Sequence, residues 1–407
     1  MRFALLGDHA DGLDMARALA ASERHEVTTY CGPAVGMDYL SRWHLQPHRV
    51  GDLEEVLADP RIEAVIVAGP PKVRSAQLRR ALQSERHVLC VHPLEEKPDP
   101  AYEAAMLQSD TGCVLLPLLP EALHPGIRKL AELARLPTSA GEQSFRLLQA
   151  ERCSMEALRE PGHADAASLR GWDVLRRIGG EIAELFTLSK EESCDANQLV
   201  LVSGKFQSGT LFQETFLPLQ PEASWRLTLI QKSSRADLLF PQDWPGPAQL
   251  TYTDASGKDH REYWQAIDPW VAMVDAFEHA VSRVGKKKER PLPGAFQADS
   301  LTSGALGWQD EVRALELDDA ARRSLRYGRA SSLDYQEATE EASFKGTMTL
   351  VGCSLIWLSL LLLIFSIWVP WLGWLILPVF GVFLVLQILG WVVPKRKELH
   401  AKVADKD

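Results

Sequence analysis

RIEAVIVAGPPKVRSAQLRRALQSERHVLCVHPL, residues 61–94, is the stretch that decides the fold of this chain. Ala64 to Ala68 is apolar at every position. Such a run suits a strand of a parallel sheet that is covered on both faces. Gly69, Pro70 and Pro71 end it, and Val73 to Leu82 follows with helical spacing. His87 to Val91 is a second apolar strand. Strand, turn, helix and strand at this spacing make a βαβ unit.

The same alternation extends outward. Arg2 to Gly7 reads as a strand closed by a glycine, and Leu13, Ala16 and Ala20 mark a helix after it. His25 to Tyr30, the short helix Asp52 to Leu57 and the strand Gly112 to Leu116 continue the series. Residues 1–120 are therefore expected to form a Rossmann-like, doubly wound α/β domain with a parallel sheet. The pattern then changes. Gln198 to Ser203, Gly209 to Leu217 and Ser224 to Ile230 alternate with period two in part, and a helix is expected over Trp172 to Leu188. Residues 121–330 are expected to be an α+β domain with an open, mostly antiparallel sheet. A helix over 268–284 should bury Val271, Val274, Phe277 and Val281 on one face.

Thr347 to Val393 contains no charged residue. It is too long for one membrane helix, which needs about 20 apolar residues. It fits two spans, about 348–369 and 371–393, broken at Pro370. Trp368, Trp371 and Trp374 gather at the turn, as rings do at a membrane interface. Arginines 322, 323, 326 and 329 with Lys345 precede the pair, and Lys395, Arg396, Lys397 and Lys402 follow it. The positive-inside rule then puts both ends in the cytoplasm. The expected partner is a lipid bilayer, reached through a linker at 331–346, with a basic tail at 394–407.

Composition narrows the function. The formal net charge of -10 leaves no basic stripe to neutralise phosphates, so a nucleic-acid partner is not expected. The six cysteines form no CxxC pair and no zinc spacing, so no metal site is expected and a reducing compartment fits. The N-terminal apolar run is short and meets Asp8 and Asp11, unlike a signal peptide.

Over residues 1 to about 330 the chain resembles the Gfo/Idh/MocA family of NAD(P)-dependent sugar oxidoreductases. The resemblance rests on Pro70 and Pro71 after a strand, on His87 to Cys90 before a proline, and on Leu123-His124-Pro125 after the next strand. It implies NAD(P) as cofactor, a sugar-like or cyclitol ligand, and a homo-oligomer, since soluble members commonly form dimers or tetramers. It also assigns Gly7, His9, Gly12, Pro70, Pro71 and Pro93 to the cofactor side. The family's markers are altered here. The phosphate loop GxGxxG reads Gly7-Asp8-His9-Ala10-Asp11-Gly12, with His9 where the middle glycine lets backbone approach the pyrophosphate. The second strand ends Thr29-Tyr30-Cys31-Gly32, with no acidic residue for the ribose hydroxyls.

In register with the family's Glu-Lys-Pro motif, His92 stands at the lysine and Pro93 at the proline. A literal Glu96-Lys97-Pro98 follows in a charged loop. The helix pattern DxGxHxxD, aligned on Gly179, places Arg177 at the Asp, Glu181 at the His and Glu184 at the last Asp. Glu181 and His92 are then the candidate acid/base residues. Two functions stay open: a degenerate binding or scaffold module at the membrane, and an active NAD(P)-dependent oxidoreductase with this altered pair.

Overall fold

The computed structural model describes residues 1–136, 145–153, 171–189, 199–217, 224–232, 234–241, 246–254, 256–286 and 305–333. The anticipated hairpin at 347–393, the linker beyond Leu333 and the tail at 394–407 lie outside them. Among the described residues, no helix is long and apolar enough to cross a membrane.

Strands β1 (Arg2–Gly7), β2 (Glu26–Cys31), β3 (His48–Val50), β4 (Ala64–Ala68), β5 (His87–Val91) and β6 (Leu115–Leu118) form one sheet in the order β3-β2-β1-β4-β5-β6. Every pairing in it is parallel. Side chains alternate across such a sheet, and here both faces are apolar. Phe3, Leu5, Ile66, Leu89 and Leu116 enter one core, while Ala4, Leu6, Val65, Val67 and Val88 enter the other. That is why β4 carries no polar residue.

Helices α1 (Ala10–Ala21) and α2 (Ala34–Arg42) lie in the first half of the chain, with α3 (Leu53–Ala58), α4 (Pro71–Gln83) and α5 (Asp99–Thr111) after them. Leu13, Ala16 and Leu19 of α1 pack on the first face, and Leu78, Ala81 and Ala101 of α4 and α5 on the second. Chain beyond residue 120 completes both covers. A helix after α6 (Pro125–Arg135) and α7 (Trp172–Gly179), α8 (Pro269–Lys286), inserts Trp270, Met273, Val274 and Phe277 into the first core. The last helix, α9 (Trp308–Tyr327), inserts Trp308, Val312 and Leu315 into the second. The first layer is thus not confined to residues 1–120.

Among the described residues the second sheet has nine strands: β7 (Phe145–Cys153), β8 (Ile182–Ser189), β9 (Val200–Phe206), β10 (Leu211–Leu217), β11 (Trp225–Gln231), β12 (Arg235–Phe240), β13 (Ala248–Thr253), β14 (Asp259–Trp264) and β15 (Ser331–Ser332). Their order is β14-β13-β12-β11-β7-β10-β9-β8-β15, and only β7 and β10 pair in parallel. One face of this sheet packs on Ile127 and Leu130 of α6, Val174, Leu175 and Ile178 of α7, and Leu317 and Ala321 of α9.

Two expectations change. The helix expected over 172–188 stops at Gly179, Gly180 follows at φ +90°, and β8 begins at Ile182. On α8, Val274 and Phe277 are buried as expected and Val281 packs partly on the core, but Val271 is 53% exposed, and Trp270 and Met273 are buried instead.

Candidate functional site

The functional loops leave the carboxyl ends of the parallel strands, where α/β sheets hold their ligands. The first runs from β1 into α1. Gly7 takes φ +100°, and a Cβ there would lie 2.2 Å from the Ala68 carbonyl oxygen. A Cβ on Gly12 would lie 2.3 Å from the Ala68 Cβ. The turn glycine and the helix-packing glycine of the phosphate loop therefore keep their physical reasons. The middle position does not. His9 is the N-cap of α1, and its Nδ1 accepts the Asp11 amide at 3.2 Å. The Asp11 carboxylate lies 3.9 Å from the same ring nitrogen. Helix N-termini bind anions through amides like this one. Here His9 takes the amide, and Asp11 adds negative charge in the first turn.

The end of β2 is also filled. Tyr30 is fully buried and donates its hydroxyl to the Pro33 carbonyl at 2.8 Å. Burial, with Asp8 nearby, pushes its phenol pKa up. A Cβ on Gly36 would fall 2.0 Å from the Tyr30 hydroxyl and 3.2 Å from the Asp8 Cβ. The ring thus fills the core between the first loop and the start of α2, and β2 ends with no acidic side chain for ribose hydroxyls. At the start of α1, the His9 cap and the Asp11 charge oppose a dinucleotide's pyrophosphate.

The loops after β4 and β5 are locked together. Pro70 caps α4 and Pro71 is its first residue, where a proline's fixed φ suits helix entry. Arg74, completely buried, donates through Nε to the Gly69 carbonyl at 2.9 Å and through Nη1 to the Pro93 carbonyl. His92, one residue earlier, is 5% exposed, and its Nδ1 lies 2.7 Å from Glu311 Oε2 of α9. The other Glu311 oxygen accepts the Leu94 amide at 2.7 Å. A carboxylate on Nδ1 selects the tautomer that carries its proton there. Lys97 is exposed in the loop before α5 and takes no part.

His92 borders a cavity of about 240 Å³. Asp11, Asp14 and Arg17 of α1 form one wall, Leu118 to Glu121 after β6 another, and Gly171, Asp173 and Ile267 to Trp270 the rest. Glu121 is held by a bidentate pair from Arg152 of β7, at 3.0 and 2.5 Å. Asp173 of α7 is 6% exposed, and its Oδ2 has no hydrogen-bond partner among the described residues. Burial first, then repulsion from Glu121, pushes its pKa up to about 6, against the pull of His92 and Arg177. Behind it, Glu214 of β10 is 2% exposed with Oε2 likewise unpartnered among the described residues. Burial raises its pKa to about 8, opposed by Arg152 and aided by Glu121, Asp173 and Asp318.

Glu181 is not brought to His92. It lies beyond the end of α7, its carboxylate takes Arg176 at 2.7 and 3.1 Å, and it does not line the cavity. Glu184 lies within β8, so neither acid shares a helical face with Arg177. The acid of α7 that lines the cavity is Asp173. Asp173 and Arg177 carry the family's Asp-to-His spacing one helical turn before the alignment anchored on Gly179, and both are buried. That spacing was the available signal. His124, the histidine of the expected Leu-His-Pro element, caps α6 by accepting the Gly126 amide at 3.0 Å, and burial pushes its pKa down to about 4.

Comparisons with known proteins agree with this architecture. Residues 12–118 match the Gfo/Idh/MocA oxidoreductase family, described by its NAD-binding Rossmann fold. A stretch of 54 residues is 43% identical to an uncharacterized oxidoreductase of Schizosaccharomyces pombe and spans 13% of this chain and 14% of that relative. Among solved structures, a putative NADPH-dependent oxidoreductase from Desulfitobacterium hafniense superposes with a TM-score of 0.63 at 15% identity, over 81% of this chain and 97% of that one. UDP-N-acetylglucosamine 3-dehydrogenase from Acidithiobacillus ferrooxidans gives 0.62 at 16%, over 80% and 98%. An Agrobacterium radiobacter oxidoreductase, solved with NAD+, L-tartaric acid and magnesium, gives 0.61 at 14%, over 82% and 98%. At these identities the structural likeness is one of fold. Residues 12–118 are thus similar to the NAD-binding Rossmann domain of the Gfo/Idh/MocA oxidoreductases.

Proposed function

We propose that the chain is a catalytically degenerate relative of these oxidoreductases, acting as a ligand-binding or scaffold module at the cytoplasmic face of a membrane. One observation carries the loss of catalysis: the start of α1 is capped by His9 and made acidic by Asp11, where a cofactor pyrophosphate needs free amides. Tyr30 at the end of β2 supports the same reading. The retained cavity supports a small, polar, sugar-like ligand. The membrane tether rests on sequence, namely the uncharged run 347–393 between basic flanks. A homo-oligomer belongs to the same proposal, since strands of the second sheet expose Leu188, Leu211 and Tyr263.

The second reading is an active NAD(P)-dependent oxidoreductase of a sugar or cyclitol derivative. It is favoured by the imidazole of His92 and the carboxyl of Asp173 on one cavity, with the Asp173 pKa near 6. An imidazole beside a carboxyl whose pKa is raised toward neutrality is an arrangement that proton transfer can use.

Titration of the full chain with NADH and NADPH separates the two. The degenerate reading expects no change in nicotinamide fluorescence or unfolding temperature at millimolar cofactor. Stabilisation approaching ~2.7 kcal/mol at a hundredfold excess over the dissociation constant would establish cofactor binding and end that reading. For the tether, the full chain is expected in the membrane fraction, and a reporter fused after Asp407 should report cytoplasm. An external signal there rejects the hairpin.

A further inference from the structure

The walls of the cavity carry more acid than base. Asp11, Asp14, Glu121, Asp173 and Asp268 face Arg17 and His92. Most of these charges are already matched. Arg17 reaches Asp268 at 2.9 Å and Asp14 at 3.7 Å. Arg152 holds Glu121, and His92 places Nδ1 against Glu311. Asp11 has the His9 ring at 3.9 Å. Asp173 differs from the others: it is buried on the cavity wall, and its Oδ2 accepts no hydrogen bond from any described residue. Arg177 stands near enough to favour the Asp173 charge, but burial weakens that cation too, and it makes no bond to Oδ2.

A buried carboxylate short of partners is costly, and a ligand that supplies a charged donor recovers that cost. A neutral polyol offers only uncharged hydroxyls, and a carboxylate ligand adds repulsion from Asp173 and Asp11. A protonated amine supplies both charge and hydrogen-bond donors. The cavity, at about 240 Å³, exceeds the roughly 150 Å³ that accommodates a benzene ring, so a substituted six-membered ring fits. We propose that this cavity selects a small hydroxylated ligand bearing a protonated amine, and that Asp173 is the residue that reads the amine. The inference rests on the reading of the cavity as a ligand site.

Three sugars of one size test it by calorimetry on the full chain in detergent: D-glucosamine, D-glucose and D-glucuronate. Glucosamine is expected to bind about tenfold or more tighter than glucose, the gap between a charge-assisted and a neutral hydrogen bond. Glucuronate should bind weakest. Asp173→Asn keeps the shape and removes the charge, and should bring glucosamine down to the affinity of glucose. Equal affinity for glucose and glucosamine, or an Asp173→Asn variant with unchanged glucosamine binding, overturns the amine assignment while leaving the ligand site standing. If none of the three binds at tens of millimolar, the ligand-site reading falls, and the amine assignment falls with it.

Discussion

Glu214→Gln is expected to flatten the pH dependence of stability and to make the protein more stable than its parent in mild alkali. The glutamate is 2% exposed, and its Oε2 is unpartnered among the described residues. Burial is the largest cause of its pKa rising to about 8. An unfolded chain has a glutamate near the ordinary value of about 4.3. Between these two values the folded protein keeps a proton that the unfolded chain has released. Stability therefore falls as pH rises through this window, and levels off above the folded pKa.

The window spans more than three pH units at about 1.4 kcal/mol each, so the loss is on the order of 4 kcal/mol. Arg152 resists it by favouring the anion, while Glu121, Asp173 and Asp318 deepen it. Asp173 adds a smaller loss of the same sign as pH rises toward about 6. Glutamine has no proton to lose at that site. From about pH 5 to about pH 8.5, urea denaturation curves should show the variant gaining on its parent by roughly 3 kcal/mol. Parallel pH profiles for the two proteins would mean that Glu214 titrates as an exposed glutamate does.

What the sequence shows and hides follows from the range of the forces involved. The first sheet was legible because each strand is buried on both faces, and a fully apolar run such as Ala64 to Ala68 has few other uses. The face of α8 was less so. Val271, Val274, Phe277 and Val281 form one stripe, but Trp270 and Met273 with Val274 and Phe277 form another. The second is buried, because the wider side chains fill the space against β1 and α1. Residues 172–188 read as one helix because their apolar spacing continues past Gly179. Only the glycine pair and the alternation from Ile182 to Leu188 mark the change to a strand. The site was partly legible. His92 follows from its register before Pro93, and it does line the cavity. Asp173 was marked only by its spacing to Arg177, and Glu214 was hidden because a charge in the core is recognised by its partners. Glu121, Arg152 and Asp318 come from three distant segments, and no local pattern links them. Glu311 was hidden for the same reason, since it meets His92 across most of the chain.

Glu311→Ala should be among the most damaging single changes in the described residues. Glu311 has no exposed surface, and its two oxygens serve the Leu94 amide and His92 Nδ1, each at 2.7 Å. Alanine leaves a buried amide and a buried imidazole without their acceptor. It also leaves a void between α9 and the loop after β5. Removing one partner of a buried, hydrogen-bonded charged group costs about 3–5 kcal/mol. For a protein of this size, that lowers the unfolding temperature on the order of 10 °C. Glu311→Gln separates charge from shape. Its oxygen can still accept the Leu94 amide, but its amide nitrogen now faces His92 Nδ1 and requires the opposite tautomer. Gln should therefore keep at least half of the stability that Ala loses, yet still alter the cavity through the His92 ring. The expected signature is near-parental unfolding with changed ligand affinity for Gln, and a large loss of stability for Ala. An Ala variant within about 1 kcal/mol of its parent would show that α9 does not hold the His92 loop. The clamp would then lie in Arg74, which grips the same loop through the Pro93 carbonyl.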